Sequence, residues 1–163
     1  MRKKIYLGII ERLKASECGI RTIGLWNNQL TEIEQETSFV MPAVFVEFEP
    51  MNYNQMAAGA KSSQCRIRLH IVNETLASPN EGEQYQNEAL QVFDTIDAVV
   101  AAVSHLSGDG FNRMMHVGTM PDHAHGRIQD NIEVFTCEAS DLSAATKRNY
   151  TTVTNLTVNK KAD

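Results

Sequence analysis

No two cysteines in this 163-residue chain lie close enough to make a Cys-x-x-Cys pair. The three present, Cys18, Cys65 and Cys137, are odd in number and far apart, which excludes a disulfide framework and a zinc ribbon. Long apolar runs are missing too: the longest, Ala98 to Val103, has six residues and falls far short of a membrane span. Basic charge is in deficit, with 15 Lys and Arg against 20 Asp and Glu, a net charge of −5. A general nucleic-acid binder, whose affinity rests on neutralising phosphates, is thereby disfavoured. The opening Met1-Arg2-Lys3-Lys4 has the charge of a secretory leader, but its apolar stretch stops at Glu11 with no cleavage pattern. The expectation is a soluble, cytoplasmic chain. With 42% hydrophobic and 21% charged residues, the composition is that of a folded chain and not a disordered one. Its length predicts a single domain over residues 1–145, followed by a polar tail or arm over 146–163.

Periodicity supplies the elements. Ile5, Ile9 and Leu13 recur at helical spacing within Lys3 to Ala15, with Gly19 as a stop. Ile20 to Trp26 can form a first strand, and Leu30 to Thr37, with Glu32, Glu34 and Glu36, reads as an exposed acidic edge. Clear strands follow. Ala43 to Glu49 sets Val44, Val46 and Phe48 on one face against Phe45, Glu47 and Glu49 on the other. Gln64 to Val72 sets Cys65, Ile67, Leu69 and Ile71 against Gln64, Arg66, Arg68 and His70. Antiparallel pairing would lay the acids of one strand across from the arginines of the other, giving a sheet with one apolar and one charged face. The thirteen-residue connection Pro50 to Ser62, carrying Met51, Tyr53 and Met56, exceeds what a hairpin needs. Ser78-Pro79-Asn80-Glu81 fits a capping box that opens a helix of roughly 25 residues, with Ala89, Val92, Phe93, Ile96, Val100 and Val103 as its stripe. Phe111 to Met120 and Ile128 to Ala139 read as two further strands. The order predicts an α+β fold, a mainly antiparallel sheet with two helices packed on one face.

Chemistry is harder to find. GxSxG, GxGxxG and GxxxxGK[ST] are all absent, so no nucleophile elbow or phosphate-cradling loop is indicated. His116, His123 and His125, with Asp122, are the sharpest metal candidate, but they lack a second spaced cluster and flank a Pro121 and Gly126 turn. His70 and His105 are expected to be solvated, and Trp26 to anchor the core or a sheet end. No catalytic residue, cofactor or metal is assigned.

The order of features from residue 1 to about 140 resembles the tail terminator (tail completion) proteins of long-tailed bacteriophages and prophages. The resemblance rests on the opening amphipathic helix, the Pro-led strand Met41-Pro42-Ala43-Val44-Phe45-Val46, the long loop, and the strand Cys65-Arg66-Ile67-Arg68-Leu69-His70-Ile71-Val72. A long helix and a closing strand opened by Asp130-Asn131-Ile132 complete it. It implies a non-enzymatic protein that assembles as a homohexameric ring on the end of the tail tube. Its implied partners are further copies of itself, the tail-tube protein and a head-completion or connector protein. No sequence-specific nucleic acid and no membrane is implied. The implied location is the bacterial host cytoplasm during assembly and then the virion tail. Ring formation requires head-to-tail surfaces. The candidate assembly contacts are Met51, Tyr53 and Met56 of the loop, together with Glu47, Glu49, Arg66 and Arg68 if those charges are not satisfied within the sheet. A head-completion or tail-tube subunit, or a metal-binding enzyme using His116, His123 and His125, are the alternatives.

Overall fold

The computed structural model describes residues 1–30, 39–74, 80–122 and 128–146. Helix α1 (Arg2–Ala15) leads into the short strand β1 (Thr22–Leu25), then β2 (Ala43–Phe48). A two-residue strand β3 (Asn54–Gln55) and a single 3-10 turn at Ala57–Gly59 occupy the long connection before β4 (Lys61–Glu74). Helix α2 (Gln86–Val103), β5 (Met115–Asp122) and β6 (Ile128–Asp141) complete the order. Among the described residues the sheet runs β1-β2-β4-β6-β5, with β3 beside β4, and only the β1–β2 pair is parallel. This is the expected α+β architecture.

Both helices cover one face. Ile5, Ile9 and Leu13 of α1 and Ile96, Val99 and Val103 of α2 share a core with Val44, Val46, Cys65, Ile67, Leu69, Ile71, Phe135 and Cys137. Because opposed residues in an antiparallel pair share a face, the register Cys65↔Cys137 and Ile67↔Phe135 locks two alternating apolar rows together.

Three expectations need correction. Helix α2 is 18 residues long and starts at Gln86, after a turn in which Gly82 takes φ +82°, a conformation that interrupts a helix. Ser78 and Pro79 lie outside the described residues. Only the second half of α2 carries fully buried residues; Val92 is partly covered, while Phe93, expected in the stripe, is 53% exposed and Val99 takes its place inside. The outer sheet face is also not uniformly charged. Leu30, Ala43, Phe45, Val72 and Ile128 form a second small core there, joined by Trp26, Phe39 and Met41. Leu30 is therefore buried instead of opening an exposed edge; Glu32, Glu34 and Glu36 lie outside the described residues, as do residues 147–163 of the tail.

Gly59 fixes the end of the long loop. It takes φ +81°, and a Cβ there would stand 2.4 Å from the Ala144 carbonyl oxygen. The Thr146 amide donates to the Ala58 carbonyl at 2.8 Å, tying the segment after β6 to this loop. Gly59→Ala is expected to lower stability by about 1–2 kcal/mol from the left-handed backbone alone, and further from the clash. Urea unfolding measures it; an unchanged midpoint would show that this contact does not persist in solution.

Candidate functional site

The outer face of β2, β4 and β6 carries a ladder of alternating charge. Glu49 accepts from Arg66 Nε at 3.1 Å and from Arg68 Nε at 2.7 Å, and Arg68 Nη1 lies 3.6 Å from Glu47. Glu47 is also 3.2 Å from His70 Nε2, and His70 Nδ1 is 2.9 Å from Asp130. The register Glu47↔Arg68 produces this, as the spacing of the two strands implied. All four candidate contacts Glu47, Glu49, Arg66 and Arg68 are thus paired within the sheet, which leaves less unmatched charge for a neighbour. The ladder contacts solvent at the arginine end, where Glu49→Ala is expected to cost only about 1 kcal/mol. A matching loss for Arg66→Ala and Arg68→Ala in urea unfolding, with no additivity between them, would confirm the shared acceptor.

The other end of the ladder is closed. His70, expected in solvent, is only 4% exposed. Trp26 stacks flat on its ring, 3.7 Å between centroids and 3° from parallel, and tilts against Phe45. A histidine whose two ring nitrogens both face carboxylates can satisfy both only when both nitrogens carry hydrogen, since a carboxylate accepts and does not donate.

A second polar group is buried beneath the helices. Glu133 is 2% exposed, on the same sheet face as Leu69 and Phe135. One of its oxygens receives Thr119 Oγ1 at 2.7 Å and lies 2.6 Å from His116 Nε2. The irregularity in β5 between His116 and Gly118 makes this cluster possible. Without that extra residue, His116 and Thr119, three apart, would face opposite sides. His123 and His125, the other members of the histidine group, lie outside the described residues. Among the described residues no group of three or more His, Cys, Asp or Glu could hold a metal ion. His105 is exposed, beyond the end of α2, and accepts from Arg113 Nε at 2.7 Å.

The loop candidates separate. Tyr53 and Met56 are exposed, and Lys61 Nζ sits 5.8 Å over the Tyr53 ring. Met51 turns inward and packs against the helix-side core. Elsewhere the surface holds Met115, Val117 and Met120 along the edge strand β5, and Tyr85, Leu90 and Phe93 around the first half of α2. A shallow cleft of about 650 Å³ runs between α1 and the 106–111 loop, spanned by an ion pair from Lys4 to Asp109. The Lys4 hydrogen bond and its positive charge hold the Asp109 carboxyl below its ordinary value.

The fold has a counterpart of known context. A solved chain superposes with a TM-score of 0.50, covering 83% of this chain and 94% of that one at 7% identity. It belongs to the virion of a native gene transfer agent (GTA) particle. At that identity the likeness shows a shared fold. No family model matches the chain, and no curated relative does. No helix among the described residues is long and apolar enough to cross a membrane.

Proposed function

We propose that the chain is a non-enzymatic structural component of a phage-like virion and acts as its tail terminator, a ring of identical copies that caps the tail tube and forms the tail side of the head-tail joint. The observation that carries this reading is the fold shared with a chain of the gene transfer agent virion over 94% of that chain's length. The surface agrees with it. Exposed apolar side chains on β5, on the first half of α2 and on the 50–62 loop offer contact area that a lone copy leaves wet. A net charge of −5 suits a ring through which DNA passes without being held. In this reading the partners are further copies, the tail-tube protein and the head-completion or connector protein; assembly takes place in the host cytoplasm and the product resides in the virion tail.

Light scattering over a wide concentration range, with electron microscopy of the same fractions in the presence of tube ends, tests it. Closed rings, free or seated on tube ends, are expected; open filaments would replace the terminator reading with a tube subunit. Exchange of Tyr53 and Met56 for serine is expected to weaken ring formation while leaving the melting temperature within a degree or two, because both side chains are exposed. Unaltered assembly would remove the loop from the interface. Met51 is left in place because it packs against the core.

A further inference from the structure

Four sulfur atoms gather at one margin of the helix-side core. Cys65 of β4 stands directly opposite Cys137 of β6, both buried and both free thiols. Met51 Sδ lies 3.7 Å from Cys65 Sγ, and Met1 Sδ lies 4.0 Å from it. Both methionines are partly buried against the same core.

The simplest redox chemistry for two facing cysteines is a disulfide, and the register opposes it. The Glu49 amide bonds to the Arg66 carbonyl on the β2 side of β4. Asn112 donates to the Glu138 carbonyl and its side chain accepts from the Glu138 amide, on the far side of β6. Neighbouring residues in a strand direct their backbone groups to opposite sides, so Cys65 and Cys137 direct theirs at each other. Such a hydrogen-bonded pair has Cα atoms about 5.5 Å apart and Cβ atoms at the wide end of the cross-strand range. A disulfide needs Cβ atoms about 3.5–4.5 Å apart. The two thiols are neighbours that can each turn toward a third atom.

That third atom has a defined size. With metal–sulfur bonds of about 2.3 Å, three sulfurs in a plane around one ion are about 4.0 Å apart, and four in a tetrahedron about 3.8 Å. The separations from Cys65 to Met51 and to Met1 already have these values. Thiolate together with thioether selects a soft ion, Cu(I) above all, over zinc or the hard cations. No His, Asp or Glu joins the cysteine pair among the described residues. We propose that Cys65, Cys137, Met51 and Met1 form a buried binding site for one soft monovalent cation of the Cu(I) class. Both thiol protons pass to solvent as the ion binds.

The test is anaerobic titration of the reduced full chain with Cu(I), in competition with a coloured Cu(I) chelator. One equivalent is expected to transfer from chelator to protein, with thiolate-to-copper absorption in the ultraviolet and a raised melting temperature. Met51→Leu preserves side-chain volume and is expected to weaken the site at least about tenfold. Cys137→Ala should abolish it, and Cys18→Ser, at a half-exposed thiol outside the cluster, should leave it unchanged. Circular dichroism checks that each variant is folded, and Met51→Leu carries the test if a cysteine variant is not. Failure to withdraw one equivalent, binding lost on Cys18→Ser, or binding unaltered in Met51→Leu would each overturn the proposal.

Discussion

Phe135→Ala is expected to destabilise the fold by about 3–5 kcal/mol, a large part of the 5–15 kcal/mol that holds a typical domain together. Phe135 has no exposed surface and sits mid-sheet on β6, opposite Ile67 on one side and His116 on the other. Its ring packs 5.1 Å from that of His116. Truncation loses the transfer energy of the ring and leaves a void that two paired strands cannot close, because each is fixed in register by its hydrogen bonds. Urea unfolding gives the number directly. Phe135→Leu, which retains most of the volume, should cost about 1–2 kcal/mol. If the alanine variant lost less than the leucine variant, the side chain would not be in the core.

The second large effect is expected at Asp130. Asp130→Ala removes the partner of His70 Nδ1 inside a pocket closed by Trp26, at a position where the carboxylate itself is only 1% exposed. Breaking one member of a buried pair typically costs about 3–5 kcal/mol, here because Nδ1 is left buried without an acceptor while only Nε2 keeps its contact with Glu47. Asp130→Asn retains an acceptor oxygen of the same shape and should recover about half of the loss. Glu47→Gln, at the half-exposed end of the same histidine, should cost about 1 kcal/mol or less, since water can replace it. Chemical denaturation of the three variants at one pH separates them. Equal losses at Asp130 and Glu47 would mean that the closed end of the ladder is open to water. Trp26 fluorescence should follow the same order, as its indole rests on the imidazole.

What could be read from residues alone follows from how local each cause is. Strands β2, β4 and β6 announce themselves because their alternation is set residue by residue. The match of Glu47 and Glu49 to Arg66 and Arg68 needs only that two such strands run antiparallel. His70 was legible as a member of the polar row, but its burial depends on Trp26, which arrives from before β2 and stacks on its ring. Beyond His70, β4 is buried on both faces through Asn73, so alternation no longer marks inside and outside. Glu133 could not be found by spacing because an irregularity in a different strand gathers its partners. The sulfur cluster was hidden for a similar reason: Cys65 and Cys137 are neighbours through register, and Met1 and Met51 reach them from the start of α1 and from a loop. The start of α2 failed in the opposite way, where a good local capping pattern gave way to a left-handed glycine at position 82.

The longest pairing among the described residues joins β4 to β6 from Lys61↔Asp141 to Glu74↔Ile128. Everything between Glu74 and Ile128, α2 and β5 included, must loop out before the first of those pairs forms. Closure entropy is therefore spent before the central ladder returns any of it, and refolding should fall in the slow, millisecond-to-second range of sheet proteins despite the two helices. The same detour matters during synthesis. On the ribosome, β4 presents fourteen residues of unpaired, half-apolar edge until Asp141 has emerged, a period in which nascent copies made side by side could pair with one another instead of with their own β6. Production of this chain should accordingly be sensitive to translation rate and to growth temperature in a way that its finished stability does not foretell.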